Sequence, residues 1–261
     1  MAEEEEKSPE ELKAAVRDYW NGRIHDVEMT VNPPGSTGFY EDLAEYRYDK
    51  NRYLLKLIDF EAYGGKKILE LGCGVGLDLT RFARGGAQVT GIDLVPTAID
   101  LAKTNFEING LEGDLMVGDG EALEFPDDTF DLVYAHGALQ YTADPQRMVD
   151  EARRVLKPGG RFFGQLYNRK GWLVFMSKVA KVTLEHTDAP AFHLNTAREF
   201  KQMLSGFGKA RVLGERFPVK SRLQKGVKGL IYNLFFVNFF KLVPKPLVRR
   251  WGAHLIGIAT K

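Results

Sequence analysis

Short apolar runs alternate with stretches of helical periodicity along most of this chain, and glycines or acids mark the junctions. Ile68, Leu69 and Leu71 form one such run, with Glu70 inside it and Gly72, Gly74 and Gly76 following at alternate positions. This predicts a buried parallel strand entering a tight turn, with Leu77 to Ala83 opening a helix. Val89 to Ile92 predicts a second strand ending at Asp93, followed by a helix from Pro96 to Asn109. Leu115 to Val117 predicts a third, ending at Gly118-Asp119-Gly120, and Phe130 to Ala135 a fourth. The next helix runs from Pro145 to Leu156, and Lys157-Pro158-Gly159-Gly160 stops it before a fifth strand, Arg161 to Tyr167. Further on, Thr196 and Glu199 are spaced as a capping box and start a helix through Leu204. Ala210 to Phe217 and His254 to Ala259 predict two last strands. Upstream, Leu12 to Trp20 and Phe39 to Phe60 read as helical. Alternating strands and helices predict an α/β fold with a doubly wound, mostly parallel sheet.

In such a sheet the turn after the first strand lies where ligands bind, and its glycines let a ligand approach the main chain. The spacing narrows the choice of ligand. A dinucleotide fingerprint needs a third glycine where Leu77 stands, and a P-loop needs a Gly-Lys-Ser/Thr that is absent. Glu70 with Gly72, Gly74 and Gly76 resembles the first motif of class I S-adenosylmethionine-dependent methyltransferases. In that family the loop passes under the methionine part of the cofactor. Asp93 ends the second strand, where a carboxylate can accept from both ribose hydroxyls. Asp119, in Gly118-Asp119-Gly120-Glu121-Ala122, resembles the family residue that accepts the adenine amino group. Phe125 to Asp131 resembles the run into the family's fourth strand.

The resemblance covers roughly residues 65 to 170, more loosely the last strands, and is closest to small-molecule enzymes of the ubiquinone and menaquinone C-methylating group. It implies a seven-stranded Rossmann-like sheet closed by an antiparallel terminal hairpin. It also implies a cofactor site made of Glu70, Gly72, Cys73, Gly74, Gly76, Asp93, Leu94, Asp119, Gly120, Glu121, Ala135 and His136. Methyl transfer from a sulfonium is an in-line displacement, to which proximity and orientation contribute much. His136, just past the fourth strand, has an ordinary pKa near neutrality and suits a general base; a residue that only lines the pocket is the alternative. Gln140 and Tyr141 follow it on the same segment. Related enzymes close an N-terminal helical segment over their ligands, which makes Tyr40, Tyr46, Arg47 and Tyr48 lid candidates alongside the reading of a simply packed helix. His186 and His193 read as surface or core residues.

Composition adds bounds. The 261 residues are 44% hydrophobic and 27% charged, as in ordinary soluble domains. A net charge of +1 gives no general preference for nucleic acid. The single cysteine, Cys73, excludes an internal disulfide and a cysteine-cluster metal site, and no His-x-x-x-His spacing occurs, so catalysis without a metal is expected. Four glutamates follow Met1-Ala2, unlike a secretory signal, which fits a cytoplasmic location. Asn32-Pro33-Pro34-Gly35 superficially matches an amino-methyltransferase motif, but no strand precedes it and glycine follows, so it reads as a turn.

The charge is unevenly spread: residues 216–261 hold ten Lys or Arg and no Asp or Glu. Within them Gly229 to Phe240 is strongly apolar but too short for a membrane span. It fits either a helix packed over the substrate pocket or against a second subunit, or a basic aromatic segment seated on an anionic membrane surface. The expected organisation is an acidic leader and helical lid (1–60), a cofactor-binding core (61–217) with a variable segment (168–209), a basic insert (218–253) and a last core strand (254–261). The leading expectation is methyl transfer to a small, lipophilic acceptor. A non-catalytic module that binds the cofactor or its product is the alternative, followed by a nicotinamide-dependent oxidoreductase.

Overall fold

The computed structural model describes residues 8–180, 184, 186–218, 234 and 237–261. Eight strands form one sheet: β1 (Lys67–Leu71), β2 (Gln88–Asp93), β3 (Asp114–Val117), β4 (Phe130–Ala135), β5 (Leu156–Asn168), β6 (Leu194–Asn195), β7 (Lys209–Glu215) and β8 (His254–Thr260). Seven follow the order β3-β2-β1-β4-β5-β8-β7, and the two-residue β6 pairs with the end of β5. The pairs from β3 to β5 are parallel, while β8 runs antiparallel to both β5 and β7. This is the expected doubly wound, mostly parallel sheet with antiparallel closing strands.

The strands hold because alternate side chains enter two separate apolar layers. Leu69, Leu71, Val133, Ala135 and Phe162 pack on one face with Phe200 of helix α8 (Ala197–Met203). Ile68, Leu132, Tyr134 and Phe163 pack on the other with Leu79 and Phe82 of α4 (Leu77–Arg84). The two remaining helices of the core are α5 (Pro96–Ile108) and α6 (Pro145–Val155). Both start with proline at the first turn, where a missing N–H costs nothing. The Thr196–Glu199 capping box forms as expected.

The N-terminal segment departs from the expected pattern. Helix α1 (Pro9–Asn21) is present, capped by Ser8 and Glu11. The stretch from Phe39 to Phe60 is not one helix: α2 (Thr37–Lys50) ends at Asn51, one short turn, α3 (Leu54–Leu57), follows, and a 3-10 turn covers Phe60–Tyr63. Asn51 leaves the helical region (φ −118°, ψ 46°) while its N–H still bonds Arg47 O. The break lets Tyr53 and Leu54 enter the core, both buried. Asn32 to Gly35 is the expected turn, and Ser36 caps α2.

Three more differences stand out. Lys157 to Gly160 belongs to β5, with an irregular register against β4, instead of lying before it. Helix α7 (Trp172–Ala180) and β6 carry no strong pattern in the sequence. Strand β7 stops at Glu215 because Arg216 has φ +59°, which no extended strand accommodates. Most of the apolar run Gly229 to Phe240, and with it the first part of the basic insert, lies outside the described residues. Its described end forms two short helices, Val237–Leu242 and Lys245–Val248, with Phe239 stacked on Trp251. Among the described residues no helix is long and apolar enough to cross a membrane.

Candidate active site

At the carboxyl ends of β1, β2, β4 and β5 lies a cavity of about 230 Å³. Because β8 runs antiparallel, its first residue, His254, pairs with Tyr167 near the end of β5 and joins the same rim. Helices α1 and α2 supply the outer wall through Val16, Trp20, Leu43 and Arg47.

The glycine turn forms one end. Gly72, Gly74 and Gly76 have φ of +67°, +52° and +77°, conformations that favour glycine. At Gly72 a methyl group would strike Ala138 Cβ at 2.5 Å, whereas at Gly74 it would meet no atom within 4 Å. Gly74 therefore leaves main chain open to the cavity. Its N–H donates to Asp93 Oδ2 at 2.9 Å, and Val95 N–H donates to Asp93 Oδ1 at 3.0 Å. Burial raises the Asp93 carboxyl pKa even so. Glu70 is buried, and its Oε2 has no hydrogen-bond partner among the described residues. Burial, then the negative charge of Asp78, pushes its pKa well up. An orphaned carboxylate oxygen in a cavity suits a cationic amine.

The other end is a buried polar chain. Arg47 Nε donates to Asp78 Oδ1 at 2.8 Å, and its Nη2 donates to Asp78 Oδ2. Tyr48 and Tyr134 hydroxyls also donate to Asp78, each at 2.7 Å. Burial alone would raise Asp78, but Arg47 outweighs it and holds the carboxyl well below the usual range. Nη2 of Arg47 lies 3.1 Å from His136 Nδ1. Tyr53 Oη lies 2.7 Å from both His136 Nε2 and His254 Nδ1, and Arg216 Nη1 lies 2.9 Å from His254 Nε2. Burial, then the charge of Arg47, lowers His136 to about 3. Burial and Arg216 push His254 well down. Both imidazoles are neutral at physiological pH.

Of the residues singled out in the sequence, Glu70, Gly72, Cys73, Gly74, Asp93, Leu94, Gly120, His136, Arg47, Gln140 and Tyr141 line this cavity. The others do not reach its wall. Gly76 caps α4 and packs against Ala102 and Phe106. Ala135 lies wholly in the core, since strand alternation turns it away from the rim. Asp119 Oδ1 accepts from Glu121 N–H, and its Oδ2 accepts from Lys13 Nζ of α1 at 2.8 Å. Glu121 accepts from Lys13 at 3.2 Å and from Thr142 and the Asp144 N–H. Tyr40 donates to Leu101 O, Lys50 lies over the Tyr46 ring, and Tyr48 is committed to Asp78. His193 bonds Thr142 O, and His186 packs against Trp20. For His136 as a base the geometry is demanding, because both ring nitrogens already have partners.

Asn51, Gln165, Tyr167, Arg216 and His254 also line the cavity and were not singled out, and Tyr53 stands just behind it. The only sequence signal among them is a histidine heading an otherwise apolar strand. Gln165, 1% exposed, accepts from Gly137 N–H through Oε1, and its Nε2 has no partner among the described residues.

The sheet order and the glycine turn under a cavity agree with the fold expected of class I S-adenosylmethionine-dependent methyltransferases, and residues 69–164 match the family model described as a methyltransferase domain. Over that stretch the chain is similar to this family, whose cofactor is S-adenosylmethionine. The chain is 31% identical over 156 residues to a ubiquinone biosynthesis O-methyltransferase of Coxiella burnetii, covering 59% of this chain and 58% of the relative. It is 36% identical over 160 residues to the enzyme of that name from Cereibacter sphaeroides, covering 60% and 62%. A sterol 4-C-methyltransferase of Caenorhabditis elegans is 27% identical over 153 residues, covering 58% and 43%. The chain thus spans about three fifths of the length of the ubiquinone biosynthesis relatives. Among solved structures, an S-adenosylmethionine-dependent methyltransferase from Thermotoga maritima matches with a TM-score of 0.52 at 19% identity, covering 85% of this chain and 98% of that one. A protein of Pyrococcus horikoshii matches with a TM-score of 0.59 at 16% identity, covering 93% and 98%. These two show the fold.

Proposed function

We propose that the protein transfers a methyl group from S-adenosylmethionine to a small, lipophilic acceptor bearing a hydroxyl. The observation that carries this is the single cavity joining the Gly74 turn to the His136 and His254 wall. The residues fit the cofactor: Glu70 offers an unpartnered buried carboxylate oxygen to an amine, Gly74 offers open main chain, and Asp93 stands at the end of β2. When bound, the cofactor supplies an electrophilic methyl on a sulfonium.

The chain's own part is to bind, orient and keep water out. Trp20, Ile24, Leu43 and Tyr141 give the cavity its apolar surface. Two relatives are named for ubiquinone biosynthesis and for sterol methylation, and an acceptor of that lipophilic character suits such a wall. Gln165 Nε2 is a donor awaiting an acceptor oxygen, and the neutral imidazoles are acceptors, so a hydroxyl satisfies both. His136 is the candidate base. Its lone pair becomes available when the acceptor's O–H replaces Arg47 at Nδ1, and its low pKa puts its contribution at the smaller end of the usual range.

Titration calorimetry with S-adenosylmethionine, S-adenosylhomocysteine and NAD tests the cofactor reading; tighter NAD binding overturns it. Transfer of a labelled methyl to a panel of phenols, catechols and quinols tests the acceptor. His136→Ala should slow transfer roughly 100-fold with cofactor affinity nearly intact. Label transfer confined to thiols or amines would reject the hydroxyl.

A further inference from the structure

The arginines at the two ends of the chain Arg47–His136–Tyr53–His254–Arg216 fix the hydrogens between them. A guanidinium can only donate. His136 Nδ1, 3.1 Å from Arg47, and His254 Nε2, 2.9 Å from Arg216, are therefore both acceptors. A neutral imidazole carries one N–H, so His136 holds its hydrogen on Nε2 and His254 holds its own on Nδ1. These are the two nitrogens that lie 2.7 Å from Tyr53 Oη. An imidazolium at either ring would set a hydrogen against a guanidinium, and burial independently keeps both rings neutral. The Tyr53 oxygen thus accepts from both sides. Tyr53 is buried behind the cavity, whereas both histidines and both arginines line it.

We propose that Tyr53 is a positioning residue for methyl transfer: its oxygen anchors the N–H groups of two cavity-lining histidines, whose opposite tautomers the arginines set, and so orients each ring with its lone pair toward the cavity-lining arginines. His254 thereby becomes a second hydrogen-accepting position for the acceptor, beside His136. The chemistry rests on the methyltransferase reading, but the tautomers are a property of the protein alone. Without the Tyr53 oxygen, both N–H groups lose their partner, while Arg47 and Arg216 still require lone pairs at His136 Nδ1 and His254 Nε2.

The test is long-range proton–nitrogen NMR of the full, nitrogen-15-labelled chain at neutral pH. The expected spectrum shows two neutral rings, His136 as Nε2–H and His254 as Nδ1–H. A charged ring, or either tautomer reversed, overturns the proposal, and this outcome needs no variant. In Tyr53→Phe both tautomers should persist, both ring N–H resonances should shift as their hydrogen bond to the Tyr53 oxygen is lost, and kcat should fall about tenfold or more while KM for S-adenosylmethionine stays within about twofold. Unchanged ring N–H resonances and kcat in a folded Tyr53→Phe protein would also overturn it. If the wild type methylates no acceptor, the methyltransferase reading falls while the ring N–H resonances still decide the role of Tyr53.

Discussion

Two neutral histidines buried in one network should make this protein sensitive to mild acid. His136 titrates near 6.5 in an unfolded chain and is held to about 3 in the fold. Between those values the unfolded chain binds the proton and the folded one refuses it, so stability falls as pH falls through that window. From pH 7 to pH 5 the loss is about 2 kcal/mol, since the full slope of about 1.4 kcal/mol per unit is reached only below pH 6.5. His254 is depressed in the same direction and adds to the loss. Urea unfolding at pH 7 and pH 5 measures the total, to which other groups also contribute. The comparison with His136→Asn isolates one ring, since asparagine does not titrate and can still accept from Arg47 and donate to Tyr53. The variant should lose about 2 kcal/mol less than the wild type over that interval. An equal loss in both proteins would mean that His136 accepts its proton in the folded state, and the buried neutral network would be wrong.

Two further outcomes follow from the same wall and from the turn opposite. Arg47→Met leaves the buried Asp78 carboxylate without its cation and should destabilise the fold by about 3–5 kcal/mol, read by urea or thermal unfolding. Gly74→Leu puts a side chain at positive φ into the open main-chain cradle; calorimetry should show cofactor binding abolished in a folded protein, and near-normal affinity would show that no ligand approaches there.

How legible this was in the sequence depended on the range of each interaction. The strand, the acid and the three glycines from Glu70 to Gly76 are set by local backbone needs, so they could be read without a partner. Asp93 was placed by the end of its own strand. Asp78 looked like an ordinary first-turn residue of α4, because its three partners Arg47, Tyr48 and Tyr134 come from elsewhere in the chain. The helix break at Asn51 was hidden because Leu54 and Leu57 continue the apolar spacing through it. Ala135 and His136 are neighbours, yet only His136 meets the cavity, because the alternation of side chains along β4 turns Ala135 into the core. Asp119 was read as open to a ligand, whereas Lys13, 106 residues earlier, bonds its carboxylate.

The bond between Tyr53 and His254 spans 201 residues, and it closes only when β8 slots between β5 and β7. On the ribosome the glycine turn and its neighbouring strands emerge long before that strand. A nascent chain can therefore assemble the cofactor end of the cavity while the acceptor wall still lacks one of its two imidazoles. A chain that stops anywhere before His254 leaves the wall formed by His136 without its second imidazole.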